Sequence, residues 1–138
     1  MPMTDAETES QDRALLAKRL FEEGRGEFLA GRYFEAHDIW EDFWHSLRGP
    51  DRRYLQGLIH LAVGAYHYGN GNSAGARSQW KKAVVKVGEY PKCHWGVDVS
   101  AWVQWIGAYL DGNVMGPLPV ELPFQTDRFP SLLPLAPE

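Results

Sequence analysis

The sequence contains a single cysteine, Cys93, so an internal disulfide framework and a cysteine-rich zinc or iron–sulfur site are both excluded. It also lacks any apolar run near the roughly 18 residues that a membrane span requires, and its acidic beginning, MPMTDAETESQD, is unlike a signal peptide. Apolar residues make up 44% of the chain and charged residues only 23%, which is typical of one compact domain rather than a disordered acidic chain. We therefore expect a soluble, cytoplasmic, single-domain protein with no membrane partner.

Proline is scarce before residue 117, where only Pro2, Pro50 and Pro91 occur, whereas six of the nine prolines lie in residues 117–137. Proline in a helix interior removes a hydrogen bond and clashes with the preceding turn. The long proline-free stretches can therefore be helical, and the last part of the chain cannot.

Apolar residues recur at helical spacing in most of the remaining sequence, and strand signals are nearly absent. The pattern predicts helices that begin near Ser10 or Asp12, that span about 33–47, 51–69 and 73–89, and that begin again at Asp98 or Ser100. The expected fold is all-α, a bundle of four to five helices arranged as antiparallel hairpins. The expected division is a flexible acidic N-terminus (1–9), a helical domain (10–113) and an extended, proline-rich tail packed on that domain (114–138).

A three-residue pattern occurs twice, since Gly31, Ala36 and Trp40 recur 40 positions later as Gly71, Ala76 and Trp80. A glycine turn followed by alanine and a large residue on a helix is typical of helical-hairpin repeats, where alanine permits close packing. Two ordinary helix starts would give the same matches, and the sequence leaves both interpretations open.

The segment from Phe28 to Glu41 contains the motif F-x-x-G-x-[YF]-x-E-A-H-x-x-W-E intact, and it is followed by the run Tyr54-Leu-Gln-Gly-Leu-Ile-His-Leu-Ala62. Over about residues 15–90 the chain resembles the prokaryotic "domain of unknown function 309" family. The resemblance implies a small all-helical bundle with tetratricopeptide-like helix pairs. It implies no catalytic residues, because the family has no established activity. His60 departs from the family pattern, in which glutamine is expected.

Two predicted helices carry polar residues between their bulky apolar ones, and these form a candidate ligand site or polar cluster: His37, Glu41, Trp44, Gln56, His60 and His67. Two imidazoles and a carboxylate from His37, Glu41 and His60 would suit a divalent metal with open positions for water. The competing interpretation is a buried hydrogen-bond network that fixes the register of the two helices. The first interpretation makes a divalent metal the cofactor, and the second requires none.

The charge is divided into blocks although the formal net charge is only −4. Residues 1–51 carry 6 basic and 12 acidic side chains, and residues 52–92 carry 7 basic and 1 acidic. The second block predicts a basic surface made of Arg52, Arg53, Arg77, Lys81, Lys82 and Lys86. Adjacent helices of opposite charge would produce the same blocks, and a pI of about 5.7 disfavours a nucleic-acid partner.

The favoured function is a small cytoplasmic binding or scaffold module that acts through protein–protein contacts, with a protein partner or a second copy of itself. One alternative is a metal-dependent hydrolase that uses His37, Glu41 and His60. A third is a nucleic-acid accessory protein that uses the basic 52–92 block. Trp95, Trp102 and Trp105 could also line a ligand or partner groove, unless the tail covers them.

Overall fold

A computed structural model describes residues 2–136 of the chain and confirms the all-α class. The five helices are α1 (Asp5–Leu29), α2 (Tyr33–Ser46), α3 (Arg52–Gly69), α4 (Ser73–Val87) and α5 (Ser100–Leu110). Two short strands, β1 (Cys93–His94) and β2 (Val97–Asp98), pair antiparallel between α4 and α5, and a 3-10 helix spans Thr126–Arg128. Residues 1, 137 and 138, which belong to the predicted end segments, lie outside the described residues. The division of the chain into an acidic N-terminus, a helical domain and a packed tail stays a prediction.

Helix α1 begins earlier than the apolar periodicity predicted, at Asp5 instead of near Ser10. The cause is a capping box, in which Thr4 Oγ1 accepts from the Glu7 backbone N–H at 3.1 Å and Glu7 Oε2 accepts from the Thr4 N–H at 3.3 Å. These two bonds satisfy backbone donors that a helix start otherwise leaves unpaired. The capping box therefore extends the helix into a polar segment that has no apolar stripe.

The helices form two hairpins, α1 with α2 and α3 with α4, and each hairpin is locked by a tryptophan of its second helix. Trp40 Nε1 donates to the Phe21 carbonyl oxygen at 3.1 Å, and Trp80 Nε1 donates to the Leu61 carbonyl oxygen at 3.2 Å. In both hairpins the acceptor lies 19 residues before the tryptophan. The sequence pattern that recurs after 40 residues is therefore accompanied by the same hydrogen bond between tryptophan and backbone in both hairpins.

A glycine on the first helix of each hairpin makes room for the tryptophan. A Cβ atom at Gly24 would lie 2.3 Å from Trp40 Nε1, and one at Gly64 would lie 2.3 Å from Trp80 Cδ1. Both indoles are fully buried. Each pair of helices can approach this closely only because the first helix has no side chain at the contact.

The hairpin of β1 and β2 was not predicted, and its turn explains why. Trp95 and Gly96 both have positive φ, 57° and 79°, as a two-residue hairpin turn of the primed type requires. Asparagine or aspartate is the usual first residue of such a turn, so Trp95 gave no signal. Its left-handed backbone is held by burial and by a bond from Trp95 Nε1 to Asp51 Oδ2 at 3.0 Å.

Residues 111–136 cross the helices without forming another α-helix in the described part of the chain. Leu122 and Phe129 are buried in the common core. The end of the described chain pairs with the α2–α3 connection, because the Arg48 N–H donates to the Pro134 carbonyl and the Ala136 N–H donates to the Ser46 carbonyl, both at 2.6 Å. No helix within residues 2–136 combines the length and apolar character needed to cross a membrane.

Candidate functional site

Helices α2, α3 and α4 enclose an open cavity of about 300 Å³, here named the central groove. Its lining combines apolar with polar side chains: His37, Glu41, Trp44, Gln56, Ile59, His60, Val63 and Gln79. The structure thus brings five of the six residues of the predicted polar cluster to one cavity. The sixth, His67, lies elsewhere.

The α2 wall of the central groove carries an imidazole beside a carboxylate, one helical turn apart. His37 Nε2 lies 2.6 Å from Glu41 Oε2, and His37 Nδ1 lies 3.2 Å from Asp38 Oδ1. The Glu41 side chain is 43% exposed and the His37 side chain 21%. Both groups are therefore held in place yet remain accessible from solvent.

The opposite wall contains a hydrogen-bonded chain of four side chains from α3 and α4. Lys86 Nζ donates to Gln56 Oε1 at 2.8 Å and to His60 Nε2 at 2.7 Å. An ammonium group has only donors, so His60 Nε2 is the acceptor and the ring proton lies on Nδ1. That N–H donates to Gln79 Oε1 at 2.8 Å.

The protonation of this wall follows from its surroundings. Burial lowers the pKa of His60, the charges of Lys86 and Lys82 lower it further, and the bond to Gln79 opposes the shift. Burial is also the largest cause that lowers the pKa of Lys86, with Arg53 and Lys82 adding repulsion. His60 is therefore neutral near neutral pH, consistent with its accepting a bond from Lys86.

Trp44 is fixed at one end of the groove by Arg52. The Arg52 guanidinium carbon lies 3.5 Å from the centre of the Trp44 ring, and Trp44 Nε1 donates to the Arg52 carbonyl oxygen at 3.2 Å. A cation–π contact together with a backbone hydrogen bond leaves the indole little freedom. The Trp44 ring is thus a rigid part of the groove wall.

His67 does not join the predicted cluster. It lies near the end of α3, where its Nδ1 is 3.3 Å from Asn72 Nδ2, and Asn72 in turn caps α4 by accepting from the Gly75 N–H at 2.9 Å. His67 therefore lies at the α3–α4 turn. The sequence grouped it with the cluster because it lies on the same predicted helix as Gln56 and His60.

The hypothesis of a metal site needs three ligands that point to one position. Within residues 2–136, no three or more His, Cys, Asp or Glu side chains come together in a way that could hold a metal ion. His60 has both ring nitrogens engaged, with Gln79 and Lys86, and His37 is paired with Glu41. The three proposed ligands line one cavity without forming a ligand set.

The hypothesis of a buried network is also only partly matched by the geometry. The polar side chains do form hydrogen bonds, but they lie on the wall of an open cavity and none belongs to the buried core in the described chain. The network links α3 to α4 through Gln79 and Lys86, whereas the sequence argument linked α2 to α3. Gln79 and Lys86 are seven residues apart on α4, and this helical spacing is the signal that could have identified them.

The predicted basic residues do not share one free surface. Arg53 pairs with Glu89 at 2.7 Å, and Arg77 Nη2 donates to the Leu110 carbonyl at the end of α5 at 3.0 Å. Arg52 covers Trp44, and Lys86 bonds to Gln56 and His60, whereas Lys81 and Lys82 are exposed. Intramolecular contacts thus account for most of the positive block.

An exposed aromatic pair lies beside the groove, and the sequence argument did not single it out. The rings of Phe34 on α2 and Tyr66 on α3 have centroids 5.1 Å apart, and Phe34 is 5.4 Å from the His37 ring. Phe34 is 47% exposed and Tyr66 is 39% exposed. His37 therefore connects the central groove to an apolar surface.

Comparison with known proteins finds similarity in this same region. The family model "Domain of unknown function (DUF309)" matches residues 21–79, which confirms the resemblance and includes every residue that lines the central groove. The "Uncharacterized protein YpuF" of Bacillus subtilis (strain 168) is 47% identical over 53 residues, which is 37% of this chain and 30% of that protein. The chain thus matches less than a third of the length of this curated relative.

Proposed function

Starting from the DUF309 match of residues 21–79, we propose that this chain is a non-catalytic cytoplasmic binding module whose central groove receives an extended segment of a protein partner. The exposed pair Phe34 and Tyr66 forms the apolar anchor of the interface. The two hairpins serve as tetratricopeptide-like units that hold the groove rigid. The single exposed thiol, Cys93, suits a reducing compartment.

The observation that carries the proposal is the exposed aromatic pair next to the polar groove. Large aromatic side chains are enriched at the centres of protein interfaces, where a few of them supply most of the binding energy. Phe34 and Tyr66 stay 47% and 39% exposed, whereas every other Phe, Tyr and Trp side chain is buried or half-buried. A contact with a partner would remove this apolar surface from water.

The polar groups of the groove suit a polypeptide backbone. Gln56 and Gln79 each use Oε1 as an acceptor, for Lys86 and His60 respectively, which leaves their amide N–H groups to donate to peptide carbonyls. Glu41 provides accepting oxygens on the facing helix for peptide N–H groups. An extended chain presents both N–H and carbonyl groups, so it can use the donors of one wall and the acceptors of the facing wall.

The charges on the two walls favour a partner segment of mixed sign. Glu41 in the groove and Asp38 beside it put negative charge on α2, whereas Lys82 and Lys86 put positive charge on α4 near His60. A bound segment with a basic residue toward α2 and an acidic residue toward α4 would meet complementary charge at both sides. The opposite charges of α2 and α4 therefore favour one orientation of the bound segment over the reverse one.

The test is selection of binders from a random peptide library on the full chain, followed by affinity measurement of the enriched peptides by fluorescence anisotropy. Phe34→Ala and Tyr66→Ala are each expected to weaken binding by at least about tenfold. Val85→Ala is the matched control, because Val85 is 58% exposed on α4 and does not line the groove. It should leave the affinity unchanged.

Enriched peptides that bind equally well to Phe34→Ala and Tyr66→Ala would show that the exposed aromatic pair is not the anchor of the interface. A chain that sediments as a dimer and becomes a monomer in Phe34→Ala would replace the foreign partner with a second copy. Hydrolysis of a bound peptide, lost in Glu41→Gln, would overturn the non-catalytic assignment.

A further inference from the structure

The exposed aromatic pair, Phe34 and Tyr66, lies beside a carboxylate that faces solvent. Asp38 follows Phe34 by one helical turn on α2, so the two side chains share a face of that helix. The Asp38 side chain is 61% exposed, and its Oδ1 lies 3.2 Å from His37 Nδ1. Its Oδ2 makes no hydrogen bond within the described part of the chain. An accepting oxygen is therefore available next to two aromatic rings.

The charge beside the aromatic pair is negative. His37 lies between two carboxylates, because its Nε2 is 2.6 Å from Glu41 Oε2 and its Nδ1 faces Asp38. Even a protonated His37 offsets only one of these two negative charges. His45 lies 3.7 Å from Glu41 Oε1, but it is 11 residues beyond Phe34 and so about 16 Å away along the helix. Since no Lys or Arg forms an ion pair with Asp38 or Glu41 within residues 2–136, a cation from outside the chain would be attracted here.

Arginine already covers aromatic rings elsewhere in this chain. Three rings of the described chain each carry an arginine guanidinium: Trp44, Phe124 and Tyr109. In the tightest of these contacts, the Arg52 guanidinium carbon lies 3.5 Å from the centre of the Trp44 ring. No lysine makes such a contact in the part of the chain that the structure describes. Phe34 and Tyr66 are the two most exposed rings there, and neither carries a cation.

A guanidinium group suits this surface better than an ammonium group does. It is planar and weakly hydrated, so it stacks on ring faces, and its N–H groups form a fork that matches a carboxylate. The Phe34 and Tyr66 rings have centroids 5.1 Å apart and are tilted by 50°. A guest between two rings needs about 7 Å, so the guanidinium lies over the pair. From there it can donate to Asp38, whose Cβ is about 5 to 6 Å from that of Phe34.

We propose that the partner segment of the central groove anchors through an arginine side chain, which stacks on Phe34 and Tyr66 and donates hydrogen bonds to Asp38. This inference rests on the proposed function, because it names the residue that the partner presents to the exposed aromatic pair. The methylene stem of the arginine covers apolar ring surface while its charged end stays at the edge of the interface. The charge adds a specificity that apolar contact with the rings alone does not provide.

The test uses the peptides that the library selection enriches, with each arginine replaced in turn by citrulline or by lysine. Citrulline keeps the planar shape of arginine and loses its charge. One arginine in each binder should be critical, and its citrulline version should bind about five- to tenfold more weakly in fluorescence anisotropy. The lysine version should bind about two- to fivefold more weakly, because it keeps the charge but lacks the planar stack.

Variants of the full chain separate the carboxylate from the rings. Asp38→Asn should reduce the difference between the arginine and citrulline peptides to about two- to threefold, because the carboxylate is lost and the rings remain. Phe34→Leu should reduce it similarly, because leucine keeps an apolar side chain without a ring face. Asp42→Asn is the matched control, since Asp42 is also exposed on α2 but lies eight residues, about 12 Å, from Phe34. It should leave the difference unchanged.

The outcomes separate this inference from the proposed function. Peptides that lose affinity in Phe34→Ala but tolerate citrulline at every arginine, or contain no arginine, would overturn the arginine anchor and leave the groove as a peptide site. A preference for arginine that Asp38→Asn leaves at full size would also overturn it. If Asp38→Asn loses its helical circular dichroism, the comparison of arginine and citrulline peptides on the unaltered chain still decides. A selection that enriches no peptide would overturn both proposals.

Discussion

Two glycines of α1, two positions apart, should respond in opposite directions to the same substitution. Gly24 faces Trp40, and a Cβ there would lie 2.3 Å from Trp40 Nε1, whereas ordinary contact needs about 3.5 to 4.0 Å. Gly26 is exposed, and a Cβ there would meet nothing within 4 Å. Gly24→Ala must therefore displace a buried indole, and Gly26→Ala changes only the helix backbone.

The magnitudes follow from the contacts of Trp40. Its ring is fully buried against Phe21 and Phe28, so overpacking costs about 1 to 3 kcal/mol. Weakening its bond to the Phe21 carbonyl costs about 1 kcal/mol more. Alanine in a helix regains about 1 kcal/mol relative to glycine, so Gly24→Ala should lower the free energy of unfolding by about 1 to 3 kcal/mol. Gly26→Ala should raise it by about 0.5 to 1 kcal/mol.

Urea unfolding followed by circular dichroism measures both variants. With a slope near 2 kcal/mol per molar, their midpoints should differ by about 1 to 2 M. Gly64→Ala repeats the experiment in the second hairpin, where a Cβ would lie 2.3 Å from Trp80 Cδ1, and should match Gly24→Ala within about 1 kcal/mol. A Gly24→Ala variant at least as stable as Gly26→Ala would refute the close-approach argument.

Three further outcomes follow from the sites described. Burial lowers the pKa of His60 in the folded chain. The contribution of His60 to the free energy of unfolding is therefore complete above its unfolded pKa of about 6.5 and is lost as the pH falls through the folded pKa. His60→Gln should make the urea midpoint depend less on pH in that window. Asp51→Asn should lower the free energy of unfolding by about 1 to 3 kcal/mol, because its carboxylate accepts from Trp95 Nε1, whereas the exposed Asp12→Asn should change it by less than about 0.5 kcal/mol. Elemental analysis of the purified, untagged chain should find no stoichiometric divalent metal, because His60 Nε2 already accepts a hydrogen bond from Lys86. A stoichiometric metal that is lost in His60→Gln would contradict this geometry.

Helix positions were predictable wherever an apolar stripe and a turn signal coincide. Segments 33–47 and 51–69 were predicted within one residue of α2 and α3, because apolar periodicity runs to their ends and Gly49-Pro50 separates them. The start of α1 and the hairpin at Trp95 were not predictable in this way. The first depends on a local capping box, and the second on tertiary contacts that hold a tryptophan at positive φ.

The composition of the central groove was predictable for α2 and α3 but not for α4. Helical spacing placed His37 and Glu41 together, and hairpin geometry brought His60 near them. Which atoms His60 contacts depends on how α4 packs on α3, and no argument from a single hairpin contains that information. Gln79 and Lys86 therefore determine the hydrogen bonding of His60, and neither the metal site nor the α2–α3 network that the sequence left open includes them.

The pairing of Pro134 and Ala136 with the α2–α3 connection also has a dynamic consequence. That connection, with Gly49 at φ of 85°, is the joint about which the two hairpins would rotate. The backbone bonds from Arg48 to Pro134 and from Ala136 to Ser46 hold the α2 side of this joint to the end of the described chain. Cleavage between Leu133 and Pro134 would release this pairing, so amide exchange at Arg48 should quicken while the Trp40 and Trp80 contacts inside each hairpin stay protected.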